Sequence, residues 1–313
     1  MHICCICLIC ILRGGVRVLL DLVGNTPLLP LSRAVPELPD GVELLAKAEF
    51  LNPSGSVKDR AARAMLLDGL KRGLLAPGKT ILDATSGNTG ISYAMFGAAL
   101  GFPVKIYLPK NAQNERKNII RACGAEIVET SPLEGSDGAY AAAVAEAGAD
   151  PERYFFPDQY NNPANPLAHY NGTGAEIWKQ TGGRVTHFLA LTGTCGTFTG
   201  TARRLKEEGV KTIAVQPDSP FHGIEGTRRL DSVAHPGAIN DLSLWDGVVE
   251  ISTAEAYETT RRLAEREGLF VGVSSGANVA AAVNYAKTLT GPALLVTILC
   301  DTGTRYVNEE FWR

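Results

Sequence analysis

Four stretches of this 313-residue chain put chemically useful side chains at or near a helix start. In NPSGSVKDRAA (52–62) turn residues run straight into a helical pattern, and Ser56 and Asp59 stand at capping-box spacing, which predicts a start near Val57. Lys58 then falls in the first turn, among unpaired N–H groups, where the helix dipole disfavours a cation. That setting depresses an ammonium pKa, and a neutral amine forms Schiff bases with aldehydes. A lone lysine in such a turn reads as a solvated surface residue; the other three stretches change that reading. TSGNTG (85–90) joins a strand to a helix and offers N–H groups and hydroxyls to a carboxylate or phosphate, where otherwise it is a capped turn. TGTCGTFTG (192–200) does the same with small residues that allow close approach of a phosphate. It lacks the lysine of a P-loop, and its glycines, Gly193, Gly196 and Gly200, do not follow GxGxxG, so it suits one small phosphate rather than a nucleotide. The serines of GVSSGAN (272–278) either cap a helix or face a ring nitrogen.

An aldehyde-accepting lysine, a phosphate cradle, a carboxylate site and a hydroxyl for a heterocycle together describe pyridoxal phosphate (PLP) acting on an amino acid. The elements that must position them alternate along the chain. Strands are predicted at 42–50, 80–85, 103–109, 125–130, 187–193, 212–217 and 293–301, and helices at 56–73, 89–101, 112–122, 137–148, 165–180, 197–208, 253–267 and 275–289. Continuous apolar strands alternating with helices imply parallel sheets covered on both faces. In such sheets ligands sit beyond the carboxyl ends of the strands, where the four stretches fall. The Pro- and Asn-rich stretch PDQYNNPANP (157–166) marks a domain boundary.

Net charge is −3 and there is no basic stripe, so nucleic acid is not an expected partner. No apolar stretch is long enough to span a bilayer, so no membrane partner is expected either. Residues 1–17, MHICCICLICILRGGVR, hold four of the seven cysteines, at Cys4, Cys5, Cys7 and Cys10. Only His2 precedes the apolar run and the arginine follows it, unlike a signal peptide, and the cysteine spacing fits no tetrahedral metal site, so a disordered or non-native extension and no bound metal are expected. Cys123, Cys195 and Cys300 are far apart, which points to no disulfide framework and to a reducing cytoplasm.

The motifs, taken in order, resemble the fold type II PLP enzymes, and among them the cysteine synthase family, nearer its B branch than its A branch. The resemblance runs from LVGNTPLLPL (22–31) through NPSGSVKDRAA, TSGNTGIS, DQYNNPANPLAHY (158–170), EIWKQTGGRVTHF (176–188), GTCGTFTG and EGLFVGVSSGAN (267–278) to CDTGTRY (300–306), nearly everything after residue 20. It implies two doubly wound open parallel-sheet domains of the tryptophan synthase β type with PLP in the cleft between them. Residues 49–163 would form the smaller, mobile substrate domain, and 18–48 with 164–313 the larger cofactor domain. A homodimer is implied as well.

The same resemblance implies residue roles. Lys58 would carry PLP as a Schiff base and act as the general base. Asn88 would bond the ring hydroxyl oxygen; Gly193, Thr194, Cys195, Gly196 and Thr197 would hold the phosphate; Ser274, rather than Ser275, would face the pyridine nitrogen. Thr85, Ser86, Thr89 and Gln159 would bind the substrate carboxylate. The implied reaction is β-replacement through an α-aminoacrylate: an O-activated L-serine, either O-acetylserine or O-phosphoserine, reacts with sulfide or thiosulfate to give L-cysteine. Cys195 stands where the family often has Gly or Thr, and its backbone is expected to bind all the same. GIEGTRRLD (223–231) supplies Arg228, expected to receive a dianionic leaving group or an anionic sulfur donor. The alternatives are a cystathionine β-synthase-like enzyme or a serine or threonine dehydratase of the same fold, or a non-catalytic binding protein built on it.

Overall fold

The computed structural model describes residues 19–35, 37–85, 87–233 and 237–313; the cysteine-rich start lies outside them, as does Ser86. The chain divides into two compact units. One comprises Ala61–Gln159 with the described residues before Gly24, and the other Gly24–Arg60 with Tyr160–Arg313.

Ten strands form two sheets: β1 (Leu28–Pro30), β2 (Val42–Ala48), β3 (Thr80–Ala84), β4 (Val104–Pro109), β5 (Glu126–Thr130), β6 (Tyr154–Phe155), β7 (His187–Leu191), β8 (Lys211–Pro217), β9 (Gly247–Ile251) and β10 (Ala293–Leu299). The larger unit holds the six-stranded order β1-β2-β10-β7-β8-β9, parallel except for β1 against β2. The smaller unit holds β5-β4-β3-β6, wholly parallel.

Alternation along the central strands explains why both faces of the larger sheet are covered. Leu189, Leu191, Ile213, Val215, Leu295 and Leu299 point into one core with helices Thr253–Glu267 and Val273–Ala286. Phe188, Ala190, Ala214, Val296 and Ile298 point the other way, toward helices Ala175–Gln180 and Gly196–Lys206. Every residue of β7 and β10 is buried, as a strand covered on both sides requires. In the smaller unit Leu82 and Ala84 pack with Ala139, Ala143 and Ala147 of helix Gly135–Ala149. On the other face, Gly97 of helix Asn88–Leu100 approaches β4 so closely that a Cβ there would collide with Val104.

Three short strands escaped the sequence pattern: β1, β6 and β9. The first two have three and two residues, and β9 is an edge strand with a half-exposed alternation. The single helix expected at 165–180 is instead two α segments, Ala164–Ala168 and Ala175–Gln180, joined by a π turn over His169–Gly174. Among the described residues no helix is long and apolar enough to cross a membrane.

Candidate cofactor and substrate sites

The helix carrying Lys58 begins at that residue and runs to Lys71. Its start is held differently from the expected capping box. Asp59 accepts from Ser54, through the backbone N–H at 2.6 Å and the hydroxyl, while Ser56 Oγ accepts the Lys58 N–H at 3.3 Å. The preceding loop is tied to the segment that follows β10 by Val57 N–H to Cys300 O, 2.8 Å, and by a Ser56–Asp301 bridge. Among the described residues Lys58 Nζ has no hydrogen-bond acceptor. Burial lowers the pKa of its amine, against the opposing pull of Cys300, Cys195 and Asp301. Burial pushes the Cys195 and Cys300 thiols up to about 12, so at neutral pH both are uncharged. Burial is what disfavours the cation.

The phosphate-like loop leaves the carboxyl end of β7. Cys195 has a left-handed backbone (φ 66°) and caps helix Gly196–Lys206 without a side-chain bond. The Thr194 hydroxyl accepts from Asn165 Nδ2 at 3.4 Å. A Cβ on Gly196 would collide with Asn165, so glycine is required there by packing. Thr197 Oγ1 pairs with His169 Nε2 at 3.3 Å, and His169 Nδ1 with Thr173 Oγ1 at 2.9 Å. Burial and the nearby Arg60 and Lys58 charges bring His169 down to about 3, so the ring is neutral.

Ser274 and Ser275 open helix Val273–Ala286, whose cap is Gly272. Ser275 Oγ accepts the Cys300 N–H at 2.8 Å, and Ser274, beside it in the first turn, is buried. Cys300 brings the parts together within one unit: its carbonyl accepts from Val57 N–H beside Lys58 at 2.8 Å, its N–H donates to Ser275 Oγ at 2.8 Å, and its thiol accepts at 3.3 Å from Asn278 Nδ2, whose Oδ1 accepts at 2.8 Å from Leu191 N–H at the end of β7. A desolvated amine, a helix N-terminus with small and hydroxyl residues, and a buried neutral hydroxyl fit the aldehyde, phosphate and ring of PLP.

The carboxylate-type site belongs to the smaller unit. Asn88 is the first residue of its helix. Thr85 Oγ1 accepts the Gly87 N–H at 3.2 Å, and Gln159 Nε2 donates to Ala84 O at 2.9 Å. Thr89 and Gln159, buried, are bonded to each other. The Arg116 guanidinium, unnoticed in the sequence, lies behind Gly87: a Cβ there would sit 3.1 Å from Nη1. Asp83, which ends its side of the strand two residues before Thr85, is fully buried and pushed by burial up to about 7.

The two arginines of 223–231 differ. Arg229 is held by Asp231 and Glu250, both at 2.9 Å. Arg228 lies over the Tyr160 ring, 4.8 Å from its centre, and its backbone is zipped to Thr192 by two 2.8 Å bonds, beside the glycine–threonine loop. His169, Asn165 and a buried ion cluster around Arg60 were not singled out from sequence; the first two lie in the motif 158–170, which carried the family resemblance without naming them.

Comparison with known proteins agrees with this chemistry. The model of the pyridoxal-phosphate dependent enzyme family matches residues 19–301. A cysteine synthase of Aquifex aeolicus is 47% identical over 306 residues, covering 96% of this chain and 93% of that protein. Cysteine synthase B of Salmonella typhimurium is 44% identical over 288 residues, covering 91% and 93%. The solved structure of O-acetyl serine sulfhydrylase isoform 3 from Entamoeba histolytica superposes with a TM-score of 0.88 at 33% identity, covering 96% of this chain and 92% of that one. The chain belongs to the pyridoxal-phosphate-dependent enzyme family, and within it to the cysteine synthases.

Proposed function

We propose that this chain makes L-cysteine from an O-activated L-serine and a sulfur donor by PLP-dependent β-replacement, with Lys58 as the cofactor lysine. The observation that carries the reading is the meeting at Cys300 of the turn before Lys58, the helix start of Ser274 and Ser275 and, through Asn278, the end of β7 that leads into the 193–197 loop. PLP, when bound, supplies the electron sink that makes the substrate Cα proton acidic. Lys58 Nζ takes that proton and returns it, a role its lowered pKa suits. Backbone N–H groups of Gly193, Thr194, Cys195, Gly196 and Thr197 hold the phosphate at a helix N-terminus. Ser274 meets the ring nitrogen with a neutral hydroxyl, which leaves the ring uncharged and favours β-chemistry over transamination. The larger unit is then the cofactor domain.

The smaller unit is the substrate domain: Thr85, Ser86, Thr89 and Gln159 take the α-carboxylate, and Asn88 the ring hydroxyl oxygen. Arg228 receives the leaving phosphate or an anionic sulfur donor. A cytoplasmic homodimer completes the proposal. The test is the visible absorption of the purified PLP-loaded protein, titrated separately with O-acetylserine and O-phosphoserine, followed by product analysis with sulfide. A spectral change with either ester and cysteine as product is expected. Keto acid and ammonia would mark a dehydratase, and a protein that takes up no PLP would end the reading.

A further inference from the structure

Lys58 shares its helix turn with the most heavily bonded ion cluster in the larger unit. The Arg60 guanidinium makes two forked contacts. Nε and Nη2 reach the Glu49 carboxylate at 2.7 and 2.8 Å, and Nη1 and Nη2 reach that of Glu176 at 2.8 and 2.7 Å. Glu49 also accepts from Thr26 Oγ1 at 2.7 Å and Asn52 Nδ2 at 2.8 Å. Lys47 Nζ reaches Glu176 at 2.7 Å, Gln180 Oε1 at 3.0 Å and the Thr26 carbonyl. Side-chain exposure is 0% for Lys47 and Glu49, 4% for Arg60 and 19% for Glu176. Two cations and two anions, from β2 and its end, the Lys58 helix and helix Ala175–Gln180, are thus fully paired.

Such clusters are poor sources of stability, since apolar residues of the same shape often serve as well or better. Their value is geometric and electrostatic. Arg60 is two residues from Lys58 and anchors that first turn to two other elements, while Ser54 holds Asp59 on the same turn. The four charges sum to zero, and removing one leaves a net buried charge in the cluster that holds Arg60, two residues from Lys58.

We propose that Lys47, Glu49, Arg60 and Glu176 are the positioning residues of Lys58, clamping its helix turn with charges that cancel at the amine. This rests on reading Lys58 as the cofactor lysine. The experiment measures, on the full chain freed of PLP, the pH at which Lys58 is half-acetylated by trace acetic anhydride, read by peptide mass spectrometry. Glu176→Gln leaves one excess positive charge and is expected to lower that pH by about half a unit; Lys47→Gln leaves one excess negative charge and raises it by about as much. The double variant returns it to the wild-type value. Shifts absent in both single variants, or of the same sign in both, overturn the proposal, because a merely structural cluster changes melting in all three without opposite shifts. If Glu176→Gln does not fold, Lys47→Gln and the double variant still decide it. Arg60→Lys keeps the charge and loses the fork: its half-acetylation pH should hold while PLP is lost on dialysis at least about tenfold faster, and an unchanged loss rate overturns the clamp. Borohydride trapping of PLP on a peptide other than that of Lys58 would refute the cofactor reading separately, leaving the charge test to judge the cluster.

Discussion

Thr89 Oγ1 donates to Gln159 Oε1 at 2.9 Å, linking the first turn of one helix to a residue 70 positions later. Gln159 Nε2 in turn donates to Ala84 O, so one side chain staples both ends of the 84–89 loop. With its hydroxyl proton given to Gln159, Thr89 serves the loop's shape first.

That division of labour predicts unequal effects. Thr89→Val removes the staple's donor without adding bulk, and should raise KM for the amino-acid substrate about tenfold with kcat changed less than about threefold, the pattern of lost uniform binding. Thr89→Ser should restore KM. Steady-state cysteine formation at saturating sulfide checks both.

Asp83 offers a pH-dependent prediction. Its folded pKa is raised to about 7 from 3.8, by burial first and by the charge of Asp158 further down, with the Ala84 N–H and Tyr93 opposing. A raised carboxyl pKa means its contribution to stability is complete below about pH 4 and is lost as pH rises through 7. Asp83→Asn keeps an acceptor for Ala84 N–H and cannot ionise. It should melt higher than wild type at pH 8, by at least about 2 °C, with the difference vanishing near pH 4. Thermal unfolding across that range decides.

Much of this was legible in the sequence because it is local. Strand runs such as ALLVTIL, wholly buried in β10, declare themselves by composition, and glycine with threonine between a strand and a helix declares the close-packed helix start at Gly196. The Arg60 cluster was not legible, because its partners Glu49 and Glu176 are 11 and 116 residues away and nothing local pairs them. The Lys58 helix starts within one residue of the expected Val57, but its capping pair differs: Asp59 accepts from Ser54 rather than from Ser56, in a loop closed against Asp301 and Cys300. The π turn at His169 likewise depends on packing, since Gly200 admits the backbone of Pro166 and the Cβ of His169 at close range.

That packing makes Gly200 a sensitive position. A Cβ there would collide with Pro166 O and stand 2.8 Å from His169 Cβ, backbone and buried side chain that cannot swing away. Gly200→Ala should destabilise by about 2 kcal/mol or more and, by moving His169 from Thr197, speed the loss of PLP. Urea unfolding and dialysis of the loaded protein measure the two effects, and normal values for both would show that the helices part without cost.

Arg228 carries the last prediction. Its neighbour Arg229 pairs with Asp231 and Glu250, and Arg228 stands over the Tyr160 ring, 4.8 Å from its centre, with its backbone bonded to Thr192 beside the glycine–threonine loop. A guanidinium fixed in that way suits a dianion through paired charged hydrogen bonds better than it suits a neutral acetyl group. Arg228→Ala should therefore lower kcat/KM for O-phosphoserine at least about tenfold relative to O-acetylserine, and Arg228→Lys, which keeps charge without the planar fork, should recover only part of it. Tyr160→Leu, which removes the ring beneath the guanidinium, should shift the ratio in the same direction by a smaller factor. Donor competition followed by cysteine yield measures all three, and a ratio unmoved by Arg228→Ala would assign the arginine to the sulfur donor, to be read next from the ratio of thiosulfate to sulfide use.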